Sequence, residues 1–159
     1  MRAYLSGGME HAKNRGASWR SSLERWLANT LSHDSFNPVR ASDEFLAARY
    51  PGVNRRRLQE HDLEEFRIML GQIIDLDLRA LEKQCDYCIC YWDRSAQEGA
   101  GTKGEITLAK YLGKPVYLVT ELPLKNIPGW VIGCSSEIFS SIPRLKKFLR
   151  GVYGKVSSE

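Results

Sequence analysis

Short apolar runs and amphipathic segments follow one another along this chain in a regular order. The apolar runs are nearly unbroken, which is typical of strands covered on both faces, and they predict strands at residues 1–5, 35–38, 86–92, 115–119 and, as a shorter candidate, 130–134. Between them, apolar residues recur at helical spacing. They predict helices at residues 18–31, 42–49, 58–83 (with a possible break at Gly71), 102–112 and 142–153.

Strands that alternate with helices predict a doubly wound α/β fold of the flavodoxin or Rossmann type, with about five parallel strands flanked by helices. The chain has 159 residues, of which 43% are hydrophobic, and this suits one domain over residues 1–159. In such sheets ligands bind beyond the carboxyl ends of the strands. Glycine-rich loops follow the first and third predicted strands, so we predict a small-molecule site at that edge.

The most informative segment is residues 99–105, with the sequence GAGTKGE. Gly99 and Gly101 form a turn that lets a sugar or phosphate approach the backbone, and the helix start that follows offers free N–H groups. Glu105 would lie beside this cleft as a catalytic carboxylate. The alternative is a capping box, in which Glu105, three residues after Thr102, bonds back to the start of its own helix.

Asp77 is the second candidate catalytic residue. It falls inside the apolar stripe of the helix predicted over residues 58–83, four residues from both Ile73 and Leu81. An unpaired carboxylate facing a core is costly unless it is hydrogen-bonded or lines a cleft. Asp77 therefore lines the cleft, or else it caps a shorter helix that begins after a break near Gly71.

The first strand and its loop supply further candidates for substrate binding. Ser6, Gly7 and Gly8 follow the strand directly, and Tyr4 either presents its phenol to the cleft or packs in the strand. Asp93 ends the third strand, where it either contacts a ligand or starts the turn.

Four segments in this order resemble the nucleoside 2-deoxyribosyltransferase superfamily, which includes deoxynucleoside monophosphate N-glycosidases. The segments are Tyr4-Leu5-Ser6-Gly7-Gly8, Asp77-Leu78-Arg79-Ala80-Leu81, the strand from Cys85 to Asp93, and Gly101 to Ala109 with Gly113-Lys114-Pro115-Val116. The resemblance covers roughly residues 1–120 and rests on the order and spacing of the segments.

The resemblance implies cleavage of the N-glycosidic bond of a nucleoside or nucleoside 5′-monophosphate. Glu105 would be the nucleophile, and Asp77 would help to protonate the departing base. The loops at Ser6–Gly8 and Gly99–Thr102 would hold the sugar or a 5′-phosphate. Transfer of the sugar to water or to another base would complete a retaining reaction. The family also implies a homo-oligomer, a dimer or larger.

Two other functions stay open on sequence alone. The first is a nucleotide-binding or sensing domain in which Glu105 is only a cap, because fold does not decide function. The second is a phosphoribohydrolase of the lonely-guy type, which shares a Gly-x-Gly-Thr-x-x-Glu element. Those proteins carry Pro-Gly-Gly before that element, whereas this chain has Gln97-Glu98-Gly99.

Composition narrows the choice further. The net charge of +4 is mild and dispersed, so it argues against a nucleic-acid polymer as partner. No apolar run approaches membrane-spanning length and none reads as a signal peptide, so a cytoplasmic location is expected. Cys85, Cys88 and Cys90 cluster, but no further ligand completes a metal site, and they are expected to be reduced structural thiols. The proposed chemistry needs no metal or organic cofactor.

Overall fold

The computed structural model describes residues 1–154 and contains a five-stranded parallel sheet with helices on both faces. The strand order is β2-β1-β3-β4-β5, and all four pairings are parallel. The strands are β1 (Arg2–Gly7), β2 (Asp34–Phe36), β3 (Tyr87–Tyr91), β4 (Val116–Val119) and β5 (Glu137–Phe139). The predicted doubly wound α/β class is therefore confirmed.

Helices of very different length connect the strands. They are α1 (Ala17–Trp26, continued by a wider turn over Leu27–Leu31), α2 (Pro38–Arg49), α3 (Arg55–His61), α4 (Leu63–Lys83), α5 (Arg94–Glu98), α6 (Gly101–Tyr111), α7 (Gly129–Cys134) and α8 (Ile142–Tyr153). No helix in the described part of the chain is long and apolar enough to span a membrane.

The sheet separates two hydrophobic layers, and the alternation of side chains along each strand decides which layer a residue enters. In β1, Ala3 and Leu5 pack toward α1 and α8, where they meet Leu23 and Leu149. Tyr4 points the other way, into the layer formed with α4, α6 and α7. Ser6, two residues after Tyr4, shares that second face.

The strand predicted over residues 130–134 is wrong, because this segment is helix α7. Its buried residues are Val131 and Cys134, three positions apart, while Trp130 is 68% exposed. This spacing belongs to a helix and not to a strand. The fifth strand of the sheet lies a few residues later, at Glu137–Phe139.

The prediction that strand β2 ends at Pro38 is also wrong. Pro38 does not close β2; it opens α2, which begins four residues earlier than predicted. Asn37 caps the helix, because its side chain accepts from the backbone N–H of Val39 at 3.1 Å. Proline is well suited to a first helical position, where its N–H would have no partner.

The long helical pattern is interrupted at Asp62 and not at Gly71. Asp62 has an extended backbone (φ −144°, ψ 79°), and its side chain accepts from the N–H of Glu65 at 3.1 Å. From there α4 runs unbroken for 21 residues through Gly71. A single exposed glycine costs a helix only about 1 kcal/mol, which packing overrides. Asp77 is therefore not the cap of a second helix.

Candidate active site

Glu105 projects from the second turn of α6 toward the carboxyl end of β1. Its Oε1 accepts a hydrogen bond from the Tyr4 hydroxyl at 2.9 Å, and its Oε2 accepts one from Ser6 Oγ. Tyr4 and Ser6 lie two positions apart on one strand, so both hydroxyls reach the same face of the sheet. Two donors fix the carboxylate in one orientation.

The capping-box alternative for Glu105 is wrong. Helix α6 begins after Ala100, and no side chain caps it. Thr102 lies inside the helix and is buried, while both Glu105 oxygens bond to β1. The carboxylate is thus directed into the site and not back along its own helix.

The environment of Glu105 combines burial with compensating donors. Burial raises the pKa of Glu105 above its usual range, while the hydrogen bonds from Ser6 and Tyr4 and the charge of Arg20 work in the opposite direction. Burial also raises the pKa of Tyr4, and the charges of Glu105 and Asp77 add to this effect. Tyr4 therefore remains a protonated donor at neutral pH.

Asp77 reaches the same electrostatic environment from α4, which packs against α6. The side chain is partly exposed, yet its Oδ1 is buried and has no hydrogen-bond partner within residues 1–154. Burial, and after it the charge of Glu105, raises the pKa of Asp77 to about 8. The Asp77 carboxyl is thus largely protonated at neutral pH beside a hydrogen-bonded Glu105. Burial raises the pKa of both carboxyl groups, but hydrogen bonds that favour the ionised form act only on Glu105.

Arg20, which the sequence reading missed, is a fully buried charge next to these groups. Its guanidinium donates to the carbonyls of Leu5 (3.1 Å), Gly7 (2.9 Å) and Arg15 (2.9 Å). A signal was present in the sequence. Arg20, Leu23 and Leu27 are spaced by three and four residues, which places a charged residue on the apolar stripe of α1.

The glycines of the first loop have a local structural reason. A Cβ on Gly8 would lie 2.0 Å from Ser95 Oγ and 2.7 Å from the backbone nitrogen of Ala96. One on Gly7 would lie 2.9 Å from the Trp19 ring. The loop after β1 therefore packs tightly on α5 and α1, so close protein packing already requires glycine at both positions.

Asp93 acts at the start of α5, a short helix that the sequence did not predict. Its Oδ1 accepts from the N–H of Ala96 at 2.9 Å and from Ser95 Oγ at 2.5 Å. The next turn is different in character. A Cβ on Gly101 would meet nothing within 4 Å, and one on Gly99 would make only ordinary contacts. Packing does not require glycine at these two predicted substrate-binding positions.

Two cavities lie apart from the carboxylates. One of about 620 Å³ opens at the carboxyl ends of β4 and β5, beside Thr120, Phe139 and Arg144. The other, of about 480 Å³, lies between α2 and α4. Neither is lined by Asp77 or Glu105. Between residues 1 and 154, no cluster of three or more His, Cys, Asp or Glu could hold a metal ion, and the four cysteines are buried free thiols.

The fold and the carboxyl groups together define the class of protein: a doubly wound α/β protein in which two carboxyl groups with raised pKa values influence each other's environment near the carboxyl edge of the sheet. Among solved structures, the chain is similar to a conserved protein from Enterococcus faecalis V583, with a TM-score of 0.62 and 14% identity over 96% of this chain and 98% of that one. It is also similar to the CMP N-glycosidase BcmB from Clostridium botulinum, with a TM-score of 0.53 and 14% identity over 96% of this chain and 99% of that one.

At this level of identity the two likenesses show a shared fold. The resemblance inferred from the motifs is confirmed in that respect, because the chain has the fold of an N-glycosidase along almost its whole length. No protein-family profile matches the chain. No curated protein sequence matches it either.

Proposed function

We propose that this protein cleaves the N-glycosidic bond of a nucleoside or nucleoside 5′-monophosphate. The observation that carries the proposal is the pairing of Glu105, held by Tyr4 and Ser6, with a largely protonated Asp77 whose Oδ1 has no partner in the described chain. A bond of this kind needs a nucleophile at the anomeric carbon and a proton for the leaving base. The two side chains supply one each.

In the first step, a Glu105 oxygen forms a bond to the anomeric carbon while the carbon–nitrogen bond to the base breaks. The electron pair of that bond goes to the base, which receives its proton from the Asp77 carboxyl. The products are the free base, an Asp77 carboxylate and a glycosyl ester on Glu105. In the second step, water or an acceptor base attacks the anomeric carbon, Glu105 leaves as a carboxylate, and Asp77 takes up the released proton.

The hydrogen bonds to Glu105 suit this sequence of events. Tyr4 and Ser6 hold the carboxylate in a fixed direction, which lowers the cost of orienting it for attack. The same donors stabilise Glu105 as a leaving group when the ester breaks. A protonated Asp77 beside it avoids the repulsion that two ionised carboxylates would bring.

The substrate class is supported by the neighbouring fold and by the glycine turn. BcmB, which shares the fold, is a CMP N-glycosidase. The backbone at Gly99, Gly101 and the buried Thr102 is proposed to approach the sugar or a 5′-phosphate, because no packing demands glycine there. The loop Ser6–Gly8 and Asp93 are proposed to hold the substrate as well, and Gly8 and Asp93 both contact α5, the helix that precedes this turn. The proposal includes a homo-oligomer acting on small molecules, and neither a metal nor an organic cofactor is needed for the steps above.

The proposal is tested by incubating the protein with a panel of nucleosides and 5′-monophosphates, with and without an acceptor base, and measuring free base by chromatography. We expect release from at least one substrate and a loss of about a thousandfold or more in Glu105→Gln, because glutamine keeps the size of the side chain but its amide is a poor nucleophile and can accept only one of the two hydrogen bonds. Release without an acceptor identifies a hydrolase, and release only with one identifies a transferase.

The matched control is Glu64→Gln, an exposed position on α4 that pairs only loosely with Arg67 at 3.5 Å. It should leave the rate unchanged. The alternative is a nucleotide-binding domain. It is identified if the protein binds a nucleotide but releases base from no substrate, and if the Glu105→Gln protein is fully folded.

A further inference from the structure

Arg20 is a fully buried charge whose partners are all neutral. Its guanidinium bonds to three backbone carbonyls, and within residues 1–154 no carboxylate lies at ion-pair distance from it. Removing a guanidinium from water costs several kcal/mol unless nearby negative charge compensates it. A purely structural link between α1 and β1 could be made by neutral groups at lower cost. The face of the Trp19 ring, 4.6 Å from the guanidinium carbon, offsets part of this cost, and negative charge close by would offset more of it.

Arg20 forms hydrogen bonds to the residues before and after Ser6, which donates to Glu105. Nε donates to the carbonyl of Leu5 and Nη2 donates to the carbonyl of Gly7, at 3.1 and 2.9 Å. These carbonyls lie on either side of Ser6, whose hydroxyl donates to Glu105. The Leu5 carbonyl belongs to the peptide that precedes Ser6, and the Gly7 carbonyl belongs to the peptide between Gly7 and Gly8. One guanidinium thus holds the end of β1 both before and after Ser6.

The third bond of Arg20 holds the loop after β1. Nη1 donates to the carbonyl of Arg15 at 2.9 Å, in a segment where Asn14, Arg15 and Gly16 have φ of 51°, 53° and 68°. Left-handed backbone at a residue other than glycine costs on the order of 1 kcal/mol and persists only where its surroundings hold it. Arg20 is one of the groups that hold this segment.

The negative charge that compensates Arg20 comes from the carboxylates without direct contact. The pKa values of Glu105 and Asp77 are both lowered by the Arg20 charge, against the upward effect of burial. Burial lowers the pKa of Arg20, and the charge of Glu105 is the largest of the effects that oppose this shift. The electrostatic interaction between Arg20 and Glu105 is therefore mutual.

We propose that Arg20 is a positioning residue for the carboxylate pair: it holds the end of β1 so that the Ser6 hydroxyl is aimed at Glu105, and it places a positive charge close to the two carboxyl groups. The reaction in which this matters rests on the proposed function. The hydrogen bonds and the charge of Arg20 do not depend on that function, so they are tested separately from activity.

The kinetic test compares Arg20→Lys and Arg20→Gln with Arg25→Gln, an exposed position on the same helix. Lysine keeps the charge but cannot reach three carbonyls with one ammonium group. We expect about tenfold or greater loss of kcat in both Arg20 variants with little change in KM, since misplacement of a catalytic group acts on the transition state. The acid limb of the kcat/KM profile should move to higher pH, further in Arg20→Gln than in Arg20→Lys. Arg25→Gln should behave as the unchanged protein.

A second measurement does not depend on activity. The Glu105 side chain is titrated by carbon NMR in protein labelled at glutamate, with its signal assigned from the Glu105→Gln variant. The proposal predicts a higher titration midpoint for Glu105 in both Arg20 variants, because each loses the alignment of Ser6 and one also loses the charge. If the unchanged protein releases no base but the Arg20 variants show this shift of the Glu105 midpoint, the result contradicts the proposed function and supports the role of Arg20.

The proposal is overturned if the folded Arg20 variants keep the Glu105 titration midpoint, or if their kcat falls only in proportion to the folded fraction measured by circular dichroism. Should Arg20→Gln fail to fold, the Arg20→Lys variant decides by the same two criteria. A shift in its Glu105 midpoint supports the proposal, and an unchanged midpoint overturns it.

Discussion

The chemistry of the site depends on a few side chains whose positions follow from the geometry of one strand. Tyr4 and Ser6 face Glu105 because they are two residues apart on β1. Asp77 lies on the apolar stripe of α4 and has a buried oxygen with no partner among the described residues. The same burial that makes Asp77 costly also raises its pKa to about 8, which the proposed role of proton donor requires.

The first prediction concerns the pH dependence of the reaction. Glu105 must be ionised and Asp77 protonated, so kcat/KM should rise with pH as Glu105 ionises and fall as Asp77, whose pKa is raised to about 8, loses its proton. In Asp77→Asn the alkaline limb should disappear and the rate should drop about a hundredfold.

Steady-state rates across the pH range measure both effects. The control is Asp75→Asn, since Asp75 is exposed on the same helix and pairs with Arg79 at 3.6 Å. An alkaline limb that persists in Asp77→Asn would show that another group donates the proton.

At the scale of helices, strands and loops, glycine occurs at the carboxyl edge of the sheet in two different surroundings. At Gly8 the backbone packs against α5, whereas at Gly101 the space around the Cβ position is open. Gly8→Ala should therefore destabilise the fold by about 1–3 kcal/mol, because the backbone of Ser95 and Ala96 cannot move aside easily. Gly101→Ala should leave the stability equal or slightly higher, because alanine favours a helix start over glycine.

Urea unfolding measures the stabilities of Gly8→Ala and Gly101→Ala, and KM measures the effect of each substitution on substrate binding. If the backbone at Gly101 approaches the sugar, Gly101→Ala should raise KM while Gly8→Ala acts mainly through stability. Equal stability losses in the two variants would contradict this distinction between the loops.

The sequence predicted the elements that form the central sheet and failed where local and tertiary signals differ. Periodicity located β1, β3, β4 and the helix around Glu105, because long patterns dominate there. It misassigned α7, whose six residues are too few to separate a helix from a strand by apolar content alone. It also placed the helix break at Gly71, although the Asn and Asp side chains that cap α3 and α4 lie earlier, at Asn54 and Asp62.

The sequence pointed to both acids of the candidate site, and to Tyr4 and Ser6 as substrate-binding residues, but not to the hydrogen bonds and the buried charge around Glu105. Asp77 and Glu105 became candidates because a carboxylate in an apolar stripe and one after a glycine turn are anomalies visible in a single sequence. The bonds from Tyr4 and Ser6 to Glu105 join residues about a hundred positions apart, so only the parallel sheet brings them together. The position of Arg20 on the apolar stripe of α1 was visible in the sequence, but its role was missed because its partners are backbone carbonyls, which no side-chain pattern reveals.

For the molecule taken together, the carboxylate pair should make stability depend on pH. Asp77 has an ordinary pKa when unfolded and a pKa of about 8 when folded, so the folded state binds the proton more tightly. Its contribution to stability is fully present below the unfolded pKa and is lost as pH rises through about 8. Replacement by asparagine should remove this loss.

Urea unfolding at about pH 5 and about pH 8 measures the effect. Between these two pH values the free energy of unfolding of the unchanged protein should fall by about 1–2 kcal/mol more than that of Asp77→Asn. This figure allows for solvent screening of the partly exposed side chain. A difference between the two proteins that does not vary with pH would mean that Asp77 is ionised in the folded state.

The most direct test of the central claim is to trap the sugar on Glu105. A substrate found in the nucleotide panel is prepared with fluorine at the 2′ position, which slows formation and breakdown of an oxocarbenium-like transition state, and the protein is analysed by mass spectrometry after release of one equivalent of base. The account predicts a mass increase equal to the fluorinated sugar or sugar phosphate, located by peptide fragmentation on Glu105 and absent in Glu105→Gln. Base release with no covalent adduct, or an adduct on another residue, would contradict it.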